Sequence, residues 1–394
     1  MSAQAQRAAL EAGAASIVEP NLESLDALRG FLALYVMLGH ARWLLWDGHW
    51  QWIQGEHPWW ADVLAYASAS LRYGHEAVVC FFVLSGFFIH FRWAAANAAG
   101  VEPRFDVRDY ARRRAHRLLP PYGAALAATV ALDLAGRGLF PTLYGARTGV
   151  GTLDDAFASM AFTPGSVTAA LLLLPGSTGT HFGTNGALWS LAYEFVYYAL
   201  YPVLLLARAR FGPWTHAIVA AVSVVLAVVV AHPFAGGVLL MYPLWLLGAA
   251  MAEAMLRGRS SHHPAVLVAI LALGVAGFHV LKGAYAILAY VVLGFGAVSL
   301  AAALPQEVRR WRVHQALHWL GLRSYTLYIG HFPFLALVSA ATFEIAGRRP
   351  QSGWLALAAA AAALAWCSLL WWLVERRFMH ARLSAARAPR PTRG

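Results

Sequence analysis

Apolar stretches of about 17 to 25 residues recur along most of this chain of 394 residues. Each is long enough to cross a hydrocarbon core of roughly 30 Å as an α-helix, whereas strands of a membrane barrel would alternate apolar and polar residues. The composition, 60% hydrophobic and 12% charged, excludes an ordinary soluble domain. Because backbone polar groups must be satisfied inside lipid, the sequence predicts an all-α, polytopic integral membrane helix bundle.

The apolar pattern predicts about ten transmembrane helices, and the flanking charges predict their orientation. The predicted spans are residues 26–46, 74–92, 118–135, 186–206, 214–232, 237–256, 264–281, 284–303, 324–343 and 354–374. With the N-terminus inside, 21 of the 30 Lys and Arg residues flank these spans on the inner side and seven on the outer side. Since inner connections carry the excess of positive charge, the sequence predicts an N-in, C-in topology. This topology accounts for the net charge of +11 without a nucleic-acid partner.

Three segments follow from this topology. A cytoplasmic N-terminal segment is predicted at 1–22, a transmembrane domain at 23–380, and a basic cytoplasmic tail, predicted to be disordered, at 381–394. The longest connection, 136–185, is predicted to lie outside and to be functional, because connections of this length are seldom plain linkers. Cys80 and Cys367 lie within spans and offer no metal-ligand spacing, so no metal site is predicted.

Two ionisable residues lie inside the first predicted span, in the stretch LDALRGFLALYVMLGHARW. Ionisable side chains cost at least about 2.5–3.5 kcal/mol at the bilayer centre and usually face the bundle interior. Arg29 and His40 are eleven residues apart, which is three helical turns plus about 20°, so they share one face and lie roughly 16 Å apart along the axis. The structural alternatives are an Arg29 that reaches the headgroups and a His40 bonded to a neighbouring carbonyl.

The fourth predicted span supplies an acidic partner. In NGALWSLAYEFVYYALYP, Ser190 and Glu194 are four residues apart and share a helical face. Glu194 is expected about 12 Å into the membrane from outside, a depth that His40 also reaches. A carboxylate beside an imidazole fixes its tautomer and raises its basicity, which suits deprotonation of a hydroxyl nucleophile. The structural alternative is a Glu194 bonded to a tyrosine hydroxyl for helix packing.

An arginine cluster follows the second span, in the stretch RDYARRRAHRLLPPY. Arg113, Arg114 and Arg117 are predicted to lie at the cytoplasmic mouth of the third helix. Guanidinium groups suit bidentate recognition of phosphate. Ordinary topogenic charge and binding of anionic membrane lipids are the alternatives.

Two further polar positions lie within spans. His331, in RSYTLYIGHFPF, lies about halfway through the ninth span, where a buried histidine is more often structural than catalytic. Ser85 and Gly86, in CFFVLSGFF, are small residues that let helices approach closely. Packing is expected for Ser85 rather than covalent catalysis, because no nucleophile-elbow motif surrounds it.

Together, five stretches of the sequence resemble the acyltransferase-3 family of bacterial integral membrane O-acyltransferases. They are LDALRGFLALYVMLGH, FFVLSGF, RRRAHRLLPPY, LWSLAYEFVYYALYP and SYTLYIGHFPF, and they occur in the family's order between about residues 22 and 380. Some members of the family carry a C-terminal esterase-like domain. This chain resembles the stand-alone form, in which one turnover is completed within the membrane domain.

The resemblance implies a role for each matching residue. It implies that His40 is the catalytic histidine, with Arg29 in the same motif, and that Glu194 is the family's buried acidic residue. It also implies that Arg114 and Arg117 bind the acyl-coenzyme A donor. The remaining residues of the expected site are Arg113, beside the donor pair, and Ser85, Ser190 and His331 in supporting positions.

The resemblance further implies a reaction in the bacterial inner membrane. An acyl group, acetyl by family habit, would pass from cytoplasmic acyl-coenzyme A to a hydroxyl of a carbohydrate-containing acceptor, with no bound cofactor. Direct transfer and an acyl-histidine intermediate both stay open. The rival hypothesis is a transporter or flippase in which Arg29, His40 and Glu194 form a proton relay or an anion site. The lack of a repeat between the two halves of the sequence argues against it.

Overall fold

The structure is a computed structural model that describes residues 21–46, 59–100, 105–258, 263–350 and 353–379. These residues are predominantly α-helical, so the chain is an all-α membrane protein. All but two residues of the predicted N-terminal segment, 1–22, lie outside the described ranges. The predicted tail, 381–394, lies outside them entirely.

The elements are numbered in chain order. The α-helices are α1 (Leu22–Leu45), α2 (Trp59–Ala69), α3 (Gly74–Ala98), α4 (Val107–Leu139), α5 (Pro141–Tyr144), α6 (Gly151–Ala158), α7 (Pro164–Leu171), α8 (Trp189–Phe211), α9 (Thr215–Val229), α10 (Pro233–Leu256), α11 (Pro264–Val280), α12 (Ala286–Ala302), α13 (Arg312–Gly321), α14 (Ser324–Ala346), α15 (Gly353–Leu370) and α16 (Arg376–Met379). Short 3₁₀ turns lie at Ser70–Arg72, Gly186–Leu188, Gly212–Trp214, Gly283–Tyr285 and Gln306–Arg310, and a π turn lies at Trp371–Glu375. Strands β1 (Met160–Ala161) and β2 (His181–Phe182) pair in parallel.

Each of the ten predicted spans coincides with a helix, namely α1, α3, α4, α8, α9, α10, α11, α12, α14 and α15. Within the described residues, six helical stretches are long and apolar enough to cross a membrane, and one of them, Gly186–Val229, contains both α8 and α9. Helices α11 and α12 are apolar but only 17 residues long. Helix α1 has 24 residues and carries four charged side chains. The number of spans and the side on which the termini lie stay predictions.

Glycines bring two pairs of helices into backbone contact around the site. A Cβ on Gly86 of α3 would collide with the carbonyl of Trp245 on α10, and one on Gly248 with the carbonyl of Val83. Likewise, Gly30 of α1 lies against the backbone of α13. The prediction that Gly86 allows a close helix approach is therefore confirmed. These contacts fix the positions of α1 and α3, which carry Arg29 and Ser85.

Helix α14 contains a proline whose effect on the backbone is compensated from outside the helix. Pro333 has no N–H, so the carbonyl of Ile329, four residues earlier, has no helical partner. The side-chain Nδ2 of Asn185 donates a hydrogen bond of 2.8 Å to that carbonyl. The turn of α14 that carries His331 is thus held from the N-terminal end of α8.

The connection 136–185 is folded against the bundle. Asp133 near the end of α4 is fully buried and accepts hydrogen bonds from the backbone N of Thr184, at 2.7 Å, and from its hydroxyl, at 2.6 Å. Arg137 donates to the carbonyl of Met160 in β1 at 3.1 Å. These bonds place β1 and β2, including His181, beside the start of α8. The functional role of this connection stays a prediction.

Candidate active site

A cavity of about 130 Å³ lies where α1, α3, α4, α8 and α14 meet. We call it the basic cavity, because Arg29, Arg114 and Arg117 line it. Four other polar residues of its lining are Ser85, Ser190, Glu194 and Tyr198. Residues from four separate sequence motifs are thus brought together in one place.

The arginines of the predicted donor cluster do not all face this cavity. Arg114 lies with its guanidinium 5.9 Å from the ring of Tyr110. Its Nε is buried and finds no hydrogen-bond acceptor in the described part of the chain. Arg113 does not line the cavity; its exposed side chain is ion-paired with Asp109 one turn earlier. The predicted donor role of Arg113 is therefore not supported by its position, since consecutive residues of a helix point in different directions.

Arg29 is oriented by its own helix. Its Nη1 lies 3.1 Å from the carboxylate of Asp26, and its guanidinium lies 5.6 Å from the ring of Phe88. Arg29 and Arg117 also act electrostatically on Glu194. The cavity therefore combines three guanidinium groups with two carboxylates, Asp26 and Glu194. A net positive charge results, which suits a phosphate-bearing ligand.

Glu194 forms its hydrogen bond with a tyrosine. The hydroxyl of Tyr198 donates to Oε2 of Glu194 at 2.9 Å. Because that hydroxyl has a single hydrogen, the contact of 3.1 Å between Ser85 Oγ and Tyr198 Oη has Ser85 as its donor. The expected pair between Glu194 and His40 is not formed. Helix α1 packs against α14, and this contact gives His40 a different neighbour.

That neighbour is His331 of α14. Nδ1 of His40 lies 2.8 Å from Nε2 of His331, and the ring planes are 11° apart with centroids separated by 5.1 Å. At that spacing the two rings meet edge to edge in almost one plane, which favours a linear N–H···N hydrogen bond. The supporting position expected for His331 is thus directly beside His40, and this histidine is fully buried.

The partners of His331 define the tautomers of both imidazoles in the neutral pair. Nδ1 of His331 lies 2.8 Å from the carbonyl oxygen of Leu327, which can only accept, so this nitrogen carries the hydrogen. Nε2 of His331 is then an acceptor, and Nδ1–H of His40 donates to it. Nε2 of His40 is left with a free lone pair. This is the protonation state that a general base needs.

His40 lines a second cavity, of about 480 Å³, which we call the histidine cavity after His40, His75 and His181. The ring of His75 lies parallel to that of Trp189, 10° apart in plane and with centroids 5.6 Å apart. Burial lowers the pKa of His181, which lies in the connection outside the spans, so its imidazole is neutral near pH 7. Trp43 of α1 also lines the cavity.

The two cavities are neighbours. Val78 of α3 and Tyr328 of α14 line both of them. The Tyr328 hydroxyl lies 2.8 Å from Ser190 Oγ, so the predicted supporting residue Ser190 holds the side chain that separates the two spaces. Tyr328 was not among the expected site residues, although it lies one helical turn before His331 in the same motif.

Another buried cluster was not foreseen. Glu253 of α10 accepts hydrogen bonds from Nε and Nη2 of Arg208 at 3.1 and 2.8 Å and contacts Nε2 of His90 at 3.1 Å. Nitrogen atoms of His90 and His216 and an oxygen of Glu253 lie within 4.8 Å of one another. Because Arg208 occupies both carboxylate oxygens, this cluster is a buried ion pair that joins α3, α8 and α10.

Comparison with known proteins identifies the family of the chain. A family model described as an acyltransferase domain, of the acyltransferase-3 type, matches residues 22–372, which is nearly the whole chain. No curated protein and no solved structure is detectably similar to the chain. The chain belongs to the acyltransferase-3 family of membrane acyltransferases.

Proposed function

We propose that this membrane O-acyltransferase transfers an acetyl group from acyl-coenzyme A to a hydroxyl of a carbohydrate-containing acceptor in the bacterial inner membrane. The donor binds in the basic cavity from the cytoplasm, and the acceptor binds in the histidine cavity. The observation that carries the proposal is the contact of the two cavities at Val78 and Tyr328. The flexible arm of the donor enters beside the arginines and carries the thioester to the boundary between the two cavities. The acceptor and His40 lie on the other side of this boundary.

In the proposed reaction His40 acts on the acceptor hydroxyl, and His331 orients His40. Nε2 of His40 takes the hydroxyl proton as the oxygen attacks the thioester carbonyl. The tetrahedral intermediate collapses with cleavage of the C–S bond. The leaving thiolate takes the proton from Nε2 of His40 and departs as the free thiol. His331 holds the orientation of His40 throughout, as the third member of a nucleophile–base–orienter set does. Attack by His40 itself, to give an acyl-histidine, is the variant of this route that stays open.

The arginines of the basic cavity account for donor binding. The buried Nε of Arg114 lacks an acceptor in the described residues, which leaves a hydrogen-bond donor available to a phosphate oxygen. A charge-assisted hydrogen bond is worth about 1.5–3 kcal/mol. We therefore expect Arg114→Ala to raise the KM for acetyl-coenzyme A by about 10- to 100-fold with a smaller change in kcat. The measurement is release of free coenzyme A by the purified protein in lipid nanodiscs, dependent on added glycan.

Arg112→Ala is the matched control for this experiment. It removes the same charge from the same helix two residues away, but the Arg112 side chain is 82% exposed and paired with Asp109. We expect it to leave the KM for the donor within about twofold. Equal effects of the two substitutions would show that charge at the membrane surface matters rather than the cavity. Glycan movement across the membrane without release of coenzyme A would favour the transporter instead.

A further inference from the structure

The charged residues of the histidine cavity are all basic. Its ionisable lining residues are His40, Arg42, Arg72, His75 and His181, and no Asp or Glu belongs to its described lining. The nearby carboxylate of Glu76, on α3, lines a different, apolar groove between α1, α11 and α12. The permanent positive charge of this space comes from the two arginines.

Neither arginine has a carboxylate partner among the described residues. Nε of Arg42 donates to Ser68 Oγ at 2.9 Å, and its guanidinium lies 5.6 Å from the ring of Trp46. Arg72 donates to the hydroxyl of Tyr73 at 2.7 Å. Within the described part of the chain, both retain N–H donors for a ligand. This differs from Arg29, Arg113 and Arg208, each of which has a carboxylate partner.

A third guanidinium lies near Arg42. Arg349, at the end of the connection after α14, donates from Nη1 to the carbonyl of Trp43 at 2.9 Å. Its charge acts on that of Arg42, which lies in the last turn of α1. The guanidinium groups of Arg42 and Arg72 line one cavity and repel each other, and an anion bound between them offsets that repulsion. The parallel rings of His75 and Trp189 supply a face on which a sugar ring packs.

We propose that the acceptor is an anionic sugar, whose carboxylate or phosphate is bound by Arg42 and Arg72 while a neighbouring hydroxyl faces Nε2 of His40. This inference rests on the proposed acyl transfer and names its acceptor class. The planar fork of an arginine matches a carboxylate or a phosphate through two parallel hydrogen bonds. Arg42 and His40 line the same cavity, so an anion bound by Arg42 shares that space with the base.

The test compares matched acceptors that differ in one group. The purified protein in nanodiscs of uncharged lipid is given labelled acetyl-coenzyme A and p-nitrophenyl glycosides of the gluco, galacto and manno series. Each series contains the hexoside, the uronide, which has a carboxylate in place of the hydroxymethyl group, and the 6-phosphate. Transfer is measured as labelled glycoside. We expect kcat/KM for an anionic member to exceed that for its neutral partner by at least about tenfold, and the ratio of uronide to phosphate distinguishes the two anions.

Variants assign this preference to the two arginines. Arg42→Gln and Arg72→Gln are each expected to reduce the anionic-to-neutral ratio severalfold, whereas Arg147→Gln, which removes an exposed charge from the connection 136–185, keeps it. Equal use of neutral and anionic partners by the wild type would overturn the inference while the proposed acyl transfer stands. An anionic-to-neutral ratio that Arg42→Gln and Arg72→Gln leave unchanged would overturn the inference in the same way. If no coenzyme A were released with any of these glycosides or with any glycan extract, both the inference and the proposed acyl transfer would be overturned.

Discussion

His40→Ala is expected to reduce kcat for acyl transfer by about 10²- to 10⁴-fold, the range that a positioned general base contributes. The KM for acetyl-coenzyme A is expected to change little, because His40 lines the histidine cavity and not the basic cavity. The measurement is the steady-state rate of coenzyme A release against donor concentration, with saturating glycan. A rise in donor KM at an unchanged kcat would contradict the proposed role of His40.

The orienting role of His331 has a distinct signature. His331→Ala removes the acceptor of the Nδ1–H of His40 and is expected to lower kcat by about 10- to 100-fold, less than the loss of the base itself. His331→Gln keeps a side-chain oxygen that can accept the same hydrogen bond, so it is expected to recover part of the rate. Equal values of kcat for His331→Gln, His331→Ala and His40→Ala would contradict this role. His331 would then be a reacting group rather than a positioning residue.

Glu253→Ala is expected to lower the free energy of unfolding by about 3–5 kcal/mol, because it leaves a buried guanidinium without its partner. Arg208 and Glu253 each retain only 9% of their side-chain exposure, and Arg208 bonds both carboxylate oxygens. His90 loses its partner in the same change. Unfolding of the purified protein in mixed micelles with increasing denaturing detergent gives the comparison.

Asp109→Ala is the control for this stability effect. It removes an ion pair with Arg112 and Arg113 at the exposed start of α4, where such pairs contribute about 0–1 kcal/mol. We expect a change of that size. If Glu253→Ala and Asp109→Ala were equally stable, the buried cluster would contribute nothing to the association of α3, α8 and α10.

The helices were predictable because length and hydropathy alone decide what forms in lipid. Every apolar stretch became a helix, including the two whose 17 residues are short for a span. That Arg29 and Glu194 face the bundle interior was also predictable, since an ionisable side chain is too costly to face lipid, but the sequence placed Glu194 beside His40 and not among the arginines. The sequence therefore indicated correctly which residues the bundle interior would collect.

The pairing of His40 was not predictable in the same way. Periodicity gives the depth of a residue and the face on which it lies, but not which neighbouring helix that face meets. The contact between α1 and α14 depends on packing across several helices, including the backbone contact at Gly30. For the same reason the sequence left Glu194 open between His40 and a tyrosine hydroxyl, and the structure favours the tyrosine, Tyr198. Arg113 and Arg114 differ only in direction around the helix, which packing alone reveals.

The boundary formed by Val78 and Tyr328 has an energetic consequence for the proposed reaction. Coenzyme A carries several negative charges, and moving even one charge through hydrocarbon is expensive. With the thioester presented at a boundary that two side chains line from both cavities, only the small uncharged acyl group passes from one space to the other. The highly charged carrier stays on the side from which it came. The cleavage of the thioester itself then drives the passage, and no ion gradient has to be spent on it.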